Sequence, residues 1–403
     1  MDEAVSAPVL RVGVVGLGRA TLSFLPALVR HPGVVITAGA DPRPEARAAW
    51  ARDFEAETYE TAEQLCASPN VDAVYIATPH QFHAANVITA AAAGKHAICE
   101  KPMALTLEDC DAMIAAVERA GTRLVIGHSQ SFSPPIYAIR EMVRSGEYGR
   151  LGMMLYLTHK GLLYTPRRPE ELDPALGGGV VFNQAPHQVD SVRWIGGGLV
   201  RSVRAQLGVW DPHRPVDGAY AAFLEFEDGA TAQLVFSAYG RFDSGEFHFW
   251  IGEGGERRER QRWGNARKEL EQLSREEEAE LKAQLAYGGG RQPKVRLDDQ
   301  EGRFQSMFGA LLVSCERADL RPSPKGVLIY DDDGRREIEL PILAAVKTRV
   351  VDELFDAAVN GAPVRHDGRW GKATLEVLLA LHQSSRERRE IVLDHQVPTP
   401  DES

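Results

Sequence analysis

The chain has 403 residues, 44% hydrophobic and 26% charged, with a formal net charge of −11, a composition suited to one large globular domain or two. The acidic balance excludes a general nucleic-acid binder, which needs a basic face, but allows an anionic substrate held by a local cluster of Arg and Lys. No stretch approaches the ~18 apolar residues of a membrane span, and "MDEAVSAPVLRV" lacks the pattern of a secretion signal, so a cytoplasmic protein is expected.

In chain order, "VLRVGVV" predicts a first strand, and "GLGRATLSFLPALVRHPG" a turn entering an amphipathic helix. "VVITAGAD" predicts a second strand ending in Asp41. "AVYIATP" is a buried strand, followed by an alanine-rich helix and the strand leading into "KHAICEKP". "TLEDCDAMIAAVERAG" is a helix capped by Thr106, and "RLVIGHS" one more strand. Strands alternating with helices give βαβ units and a doubly wound parallel sheet over residues 1–130.

Beyond that point the pattern changes. "GRLGMMLYLTHKG", "VRSVRAQLGVW" and "AAFLEFEDGATAQLVFSAYG" predict longer strands, the last a hairpin turning at Asp228–Gly229. An open, mostly antiparallel sheet in a second α/β domain over 131–403 follows. Within it, residues from about 253 to 300 are charged and helix-favouring, and are expected as a solvated helical insertion. Helices around 345–359 and over "GRWGKATLEVLLALHQSSRERR" close the chain.

Three motifs carry chemistry. Gly16, Leu17, Gly18, Arg19 and Ala20 follow a strand and open a helix, the setting in which a glycine turn cradles a dinucleotide pyrophosphate. The third glycine position carries Thr21. Asp41 ends the second strand, where a carboxylate accepts from the adenosine ribose; this favours NAD, while Arg43 keeps NADP possible. Second, Glu100-Lys101-Pro102 sits at the carboxyl end of a strand, where a lysine can hydrogen-bond a hydroxyl and ease the departure of its proton; taken alone, it fits a surface lysine beside a turn proline better. Third, "GGGVVFNQAPHQVDSVRW" spaces Asn183, His187 and Asp190 so that one helix would present them on one face. His187 there suits acid–base work or a helix-end cap. Cys66, Cys99, Cys110 and Cys315 form neither a CxxC pair nor a metal-ligand pattern, so free thiols and no metal site are expected.

Together "GVVGLGRA", "IATPHQFH…AAAAGKHAICEKPMALT" and "GGGVVFNQAPHQVD" resemble the Gfo/Idh/MocA oxidoreductase family. The resemblance implies a Rossmann domain followed by a substrate-binding and oligomerisation domain, hence a homodimer or homotetramer. It implies catalytic roles for Lys101 and His187. It also puts Thr78, Pro79, His83 and Glu100 beside the cofactor and gives Asn183, where relatives often carry Asp, a substrate-orienting role. "YTPRRPEELDPALGGGVVFNQAPHQVD" and the segments "SCERADLRPSPKGVLIYDDDGRREIEL" and "HDGRWGKATLEVLLALHQSSRERREI" resemble a subgroup acting on the cis-4,5-dihydrodiol of phthalate. The implied reaction oxidises that diol to 4,5-dihydroxyphthalate with NAD. Arg167 and Arg168 are the expected carboxylate donors, with Lys160 and Arg241 behind them, although the two arginines equally fit ion pairs to Glu170 and Glu171 in a solvated loop. The alternative substrate is a sugar, glycoside or cyclitol.

Overall fold

The computed structural model describes residues 8–127, 130–259, 265–295, 303–343 and 347–400. It divides into two compact units.

In the first unit, β1 (Leu10–Val15), α1 (Arg19–Arg30), β2 (Val34–Ala40), α2 (Pro44–Phe54), β3 (Glu57–Tyr59), α3 (Ala62–Cys66), β4 (Ala73–Ile76), α4 (His83–Ala92), β5 (His96–Cys99), α5 (Leu107–Ala120) and β6 (Leu124–Ile126) alternate. All strand pairs are parallel, in the order β3-β2-β1-β4-β5-β6. Apart from Arg11, which pairs with Asp72, β1 and β4 are apolar and buried, as strands covered on both faces must be. The chain winds outward in both directions from the β1–β4 pair. That reversal opens a crevice at the carboxyl edge, where such sheets bind ligands.

The second unit contains α6 (Pro134–Ser145), β7 (Leu151–His159), α7 (Val180–Asn183), α8 (Ala185–Ile195), β8 (Val200–Gly208), β9 (Ala219–Phe226) and β10 (Thr231–Ser237). After them come α9 (Asn265–Leu270), α10 (Arg275–Gln284), β11 (Ala310–Cys315), β12 (Asp319–Pro322), β13 (Gly326–Asp331) and β14 (Gly334–Glu339). The chain ends with α11 (Thr348–Val359), α12 (Gly368–Glu387) and β15 (Ile391–Val392). Nine strands form one sheet in the order β14-β13-β12-β11-β7-β10-β9-β8-β15. β7 and β10 run parallel and the other neighbours antiparallel. The β9–β10 hairpin turns at Asp228–Gly229 as the sequence implies, with Gly229 at φ +86°. Strands β11 to β14 complete the sheet beyond the strands read from the sequence, and the β13–β14 hairpin carries its own Asp333-Gly334 turn, with Gly334 at φ +116°.

Helices α6, α7 and α8 pack against β9, β10, β12 and β13. In β7, buried Met154 and Tyr156 alternate with exposed Met153 and Leu155. Register places Phe223, Gln233, Leu155 and Leu312 side by side across four strands. Phe223, Leu155 and Leu312 are exposed, so one face of this sheet carries an apolar stripe.

The division departs from a single cut near residue 130, because described residues within Leu281–Asp299 and Lys347–Gly371 belong to the first unit. The reason is side-chain burial. Tyr287 packs its ring 5.1 Å from that of Trp50 and donates its hydroxyl to Asp53 Oδ2 at 2.6 Å. The charged insertion is accordingly less solvated than its composition suggests. Glu278 on α10 is buried against Arg214 at 2.9 Å, with Arg275 on its other oxygen. Residues 260–264 and 296–302 of that insertion lie outside the described residues.

Candidate active site

Four strands of the first unit deliver the expected nucleotide residues to one edge. Gly16 follows β1, Asp41 follows β2, Thr78 and Pro79 follow β4, and Glu100 and Lys101 follow β5. Since the strands are parallel, all of these positions lie at the carboxyl edge. Gly16 has φ +90°, and a Cβ there would come within 2.8 Å of the Ala77 carbonyl oxygen, so only glycine fits the turn. Gly18 caps α1 without a side chain, and a Cβ there would meet nothing within 4 Å. A bare helix N-terminus beside open space fits a pyrophosphate. Arg19 is exposed and Ala20 partly so, whereas the Leu17 side chain is buried and only its backbone can serve. Thr21, at the third glycine position, is buried and donates its hydroxyl to the Gly16 carbonyl at 2.6 Å, which ties the turn to the helix.

Asp41 is buried and already occupied. Its Oδ2 accepts from the Leu17 N–H at 2.8 Å, and its Oδ1 from the Arg43 N–H at 2.9 Å and Nε at 3.0 Å. Arg43 Nη2 also donates to the Leu17 carbonyl at 2.7 Å. The arginine is therefore folded back onto the acid that precedes it.

At the end of β5, Glu100 is the electrostatic centre. Its Oε1 accepts from Tyr75 at 2.8 Å and from Lys347 Nζ at 3.0 Å, and its Oε2 lies 3.3 Å from the Lys101 N–H. Burial by itself would raise this carboxyl; the charges of Lys347 and Lys101, with the two hydrogen bonds, outweigh it and hold it at about 2. Nothing local in the sequence marks Lys347 as a site residue; it enters only through the return of its segment to the first unit. The sequence also places His83 beside the cofactor, but its side chain is completely buried. Its ring nitrogens lie 2.8 Å from the Pro102 carbonyl oxygen and 3.0 Å from that of Thr78. Burial lowers its pKa, so the neutral ring fastens the Thr78 and Pro102 loops together rather than presenting itself to a ligand.

In the second unit, His187 lies on α8, buried, with its ring 4.8 Å from that of Phe308. The expected single helix carrying Asn183, His187 and Asp190 is in fact two. α7 stops at Asn183, and Pro186 at the start of α8 cannot continue the helical hydrogen bonds. Asn183 accepts from the Gln184 side chain, and the buried Asp190 accepts from the Ser131 N–H at 3.2 Å.

The cationic candidates are largely engaged by protein partners. Arg167 pairs with Glu171 at 3.3 Å and donates to the Leu162 carbonyl at 2.7 Å, with its side chain only 10% exposed. Arg168 pairs with Glu170 at 2.9 Å. Lys160 lies 2.7 Å from Glu253 and sits over the Phe308 ring. The loop glutamates thus pair with the loop arginines, the arrangement that the solvated-loop reading of this segment expects. The four cysteines remain thiols, outside any disulfide, and three are buried. Among the described residues no group of three or more His, Cys, Asp or Glu could hold a metal, and no helix is long and apolar enough to cross a membrane.

Residues 10–128 match the Gfo/Idh/MocA oxidoreductase family with its NAD-binding Rossmann fold, and residues 136–255 match the C-terminal domain of that family. A 1-carboxy-3-chloro-3,4-dihydroxycyclohexa-1,5-diene dehydrogenase from Comamonas testosteroni is 39% identical over 383 residues, covering 94% of this chain and 95% of the relative. A crystal structure described as a dehydrogenase from Bordetella bronchiseptica RB50 is 43% identical, with a TM-score of 0.89, over 96% of this chain and 100% of its own. An aldose-aldose oxidoreductase from Caulobacter crescentus shares the fold, at 24% identity and a TM-score of 0.71 over 96% of this chain and 100% of its own. The chain belongs to the Gfo/Idh/MocA oxidoreductase family and is an NAD-dependent dehydrogenase.

Proposed function

We propose that this family member oxidises a cis-dihydrodiol of an aromatic carboxylate, a dihydroxycyclohexadiene carboxylate of which the phthalate 4,5-diol is one case, to the corresponding catechol. The observation that carries this reading is the near full-length similarity to a dehydrogenase named for a carboxylated dihydroxycyclohexadiene.

Gly16, Gly18, the N-terminus of α1, Asp41 and the Thr78-Pro79 loop hold NAD, which when bound supplies the two-electron acceptor. The proton falls to the chain's own residues. Lys101, at the carboxyl edge of the first sheet, takes it from the reacting hydroxyl, and His187 is the second group able to carry it. Glu100 steadies the Lys101 backbone by accepting its N–H. Loss of one hydride and one proton from the diol leaves a hydroxydienone, which tautomerises to an aromatic ring, so the reaction runs strongly downhill.

The exposed stripe of Phe223, Leu155 and Leu312 supports a homodimer or homotetramer formed through the open sheet face. Four cysteine thiols accord with a reducing compartment, and a cytoplasmic location goes with this reading.

The test is absorbance at the reduced-nicotinamide band with purified protein, NAD and a panel of diols. Turnover of carboxylated cis-dihydrodiols, with sugars and cyclitols inert, is the expected result; efficient oxidation of a sugar or inositol and none of the diols overturns it.

A further inference from the structure

The second unit contains a cavity of about 450 Å³ that no sequence motif marks, of the size usual for small-molecule sites. Its wall is aromatic. Trp210 stacks on Tyr239 at 4.7 Å and 22°, yet stays 67% exposed. Tyr164 and His159 also line it. The tyrosine hydroxyls are engaged: that of Tyr164 donates to Asp211 Oδ2 at 2.9 Å, and that of Tyr239 accepts from the backbone N–H of Trp210 at 2.6 Å. The rings are therefore fixed, and what they offer is flat apolar surface.

Two guanidiniums complete the lining. Arg267, from α9 of the charged insertion, lies 3.9 Å over the Tyr164 ring and donates one Nη to the Tyr239 carbonyl. Arg241 is exposed and makes no hydrogen bond or ion pair among the described residues. Against these two cations stands one carboxylate, Asp211, which already accepts from the Tyr164 hydroxyl and from the His213 N–H. Burial lowers the pKa of His159, which keeps it neutral at pH 7. The lining thus carries a net positive charge in a protein whose overall charge is −11.

We infer that this cavity binds a planar ring carboxylate, with Arg241 and Arg267 holding the carboxylate and Trp210 with Tyr239 holding the ring. Arginine's flat fork matches a carboxylate and stacks on aromatic faces, so one pocket serves both halves of such a ligand. This deepens the reading above, on which it rests, by assigning the carboxylate to Arg241 and Arg267 instead of the ion-paired Arg167 and Arg168. It also gives the charged insertion a role, since α9 delivers one of the two guanidiniums.

The experiment uses the whole, NAD-saturated protein, titrated with phthalate and with neutral phthalamide while tryptophan fluorescence is followed. Phthalate is expected to quench saturably and phthalamide not to, and Trp210→Phe is expected to remove the signal. Arg241→Met should weaken phthalate binding about ten- to hundredfold, the worth of a charge-assisted hydrogen bond, and Arg267→Lys, which keeps the charge but loses the flat fork, should weaken it by a smaller factor. Arg241→Met should raise KM for a carboxylated diol by a similar factor with kcat near wild type. Arg241 lacks structural partners among the described residues, so its loss leaves the fold intact. Unchanged phthalate affinity in both variants, or no phthalate binding by the wild type, overturns the site. A protein that oxidises carboxylated diols with an unaltered KM in Arg241→Met keeps its function and loses this pocket. One that binds phthalate here but oxidises no carboxylated diol keeps the pocket and loses the function.

Discussion

Lys347 Nζ lies 3.0 Å from Glu100 Oε1, a pairing across 247 positions of chain that neutralises the acid adjoining Lys101. Around Glu100 stand Lys347, which offsets its charge, Lys101 and the un-ionised Tyr75. Removing Lys347 leaves the Glu100 charge uncompensated beside Lys101. In Lys347→Met the acidic limb of the kcat/KM profile, along which the proton-accepting amine becomes free, should move up by about one pH unit, the usual effect of a nearby charge. A superimposable profile shows that Lys347 is purely structural.

The same acid sets an acid lability. Glu100 is held at about 2 against an ordinary 4.5. A depressed carboxyl stabilises the fold above its unfolded pKa, and that contribution disappears as pH falls through the folded value. The wild type should lose about 3 kcal/mol from this group between pH 5 and pH 2. Lys347→Met should lose less over that window; denaturant midpoints measured across it decide the matter.

Lys101→Ala should lower kcat by about 10²- to 10⁴-fold, the usual worth of a general acid–base group, with NAD affinity by calorimetry unchanged. A defect confined to NAD binding removes the proton-transfer role.

Cofactor choice turns on Asp41 and Arg43. The arginine is pinned by Asp41 and by the Leu17 carbonyl, so it is withheld from a 2′-phosphate that would also meet the Asp41 charge. NAD should exceed NADP in kcat/KM by at least about tenfold, equivalent to ~1.4 kcal/mol. Asp41→Ser frees Arg43 and should shrink or reverse that ratio. Equal use of both cofactors by the wild type overturns this assignment.

Leu155→Arg places a charge in the middle of the exposed stripe. Light scattering should show the wild type as a dimer or tetramer and this variant as a smaller species at micromolar concentration. A variant that keeps the wild-type mass shows that another surface makes the contact.

Gly288 has φ +75°, and a Cβ there would approach Ala46 Cα to 2.7 Å, the contact by which the insertion seats on α2. Gly288→Ala should cost about 2 kcal/mol, through left-handed backbone strain together with overpacking. A melting temperature equal to wild type means that this seat is soft.

Much of the site is legible in the residues because its chemistry is local. The glycine turn, the acid ending β2 and the Glu-Lys-Pro step each occupy a few consecutive positions, and a parallel sheet brings all three to one edge once the strands are recognised. Hydrophobic alternation and the Asp228–Gly229 turn likewise encode a hairpin by themselves. Reading His187 and Asn183 as one helical face fails because a single residue, Pro186, breaks the helix that the spacing assumes.

Interactions between distant segments are decided only by the tertiary structure. Whether Arg167 holds a ligand or Glu171 depends on where a loop folds, and composition is the same in either case. Lys347 and Tyr287 lie in stretches without any motif, and they reach the first unit because burying Tyr287 against Trp50 and pairing Lys347 with Glu100 outweigh their sequence distance. Short-range patterns fix elements and turns by sterics and hydrogen bonding within a few residues; the partners of a charge are fixed by packing, which no local window of sequence contains.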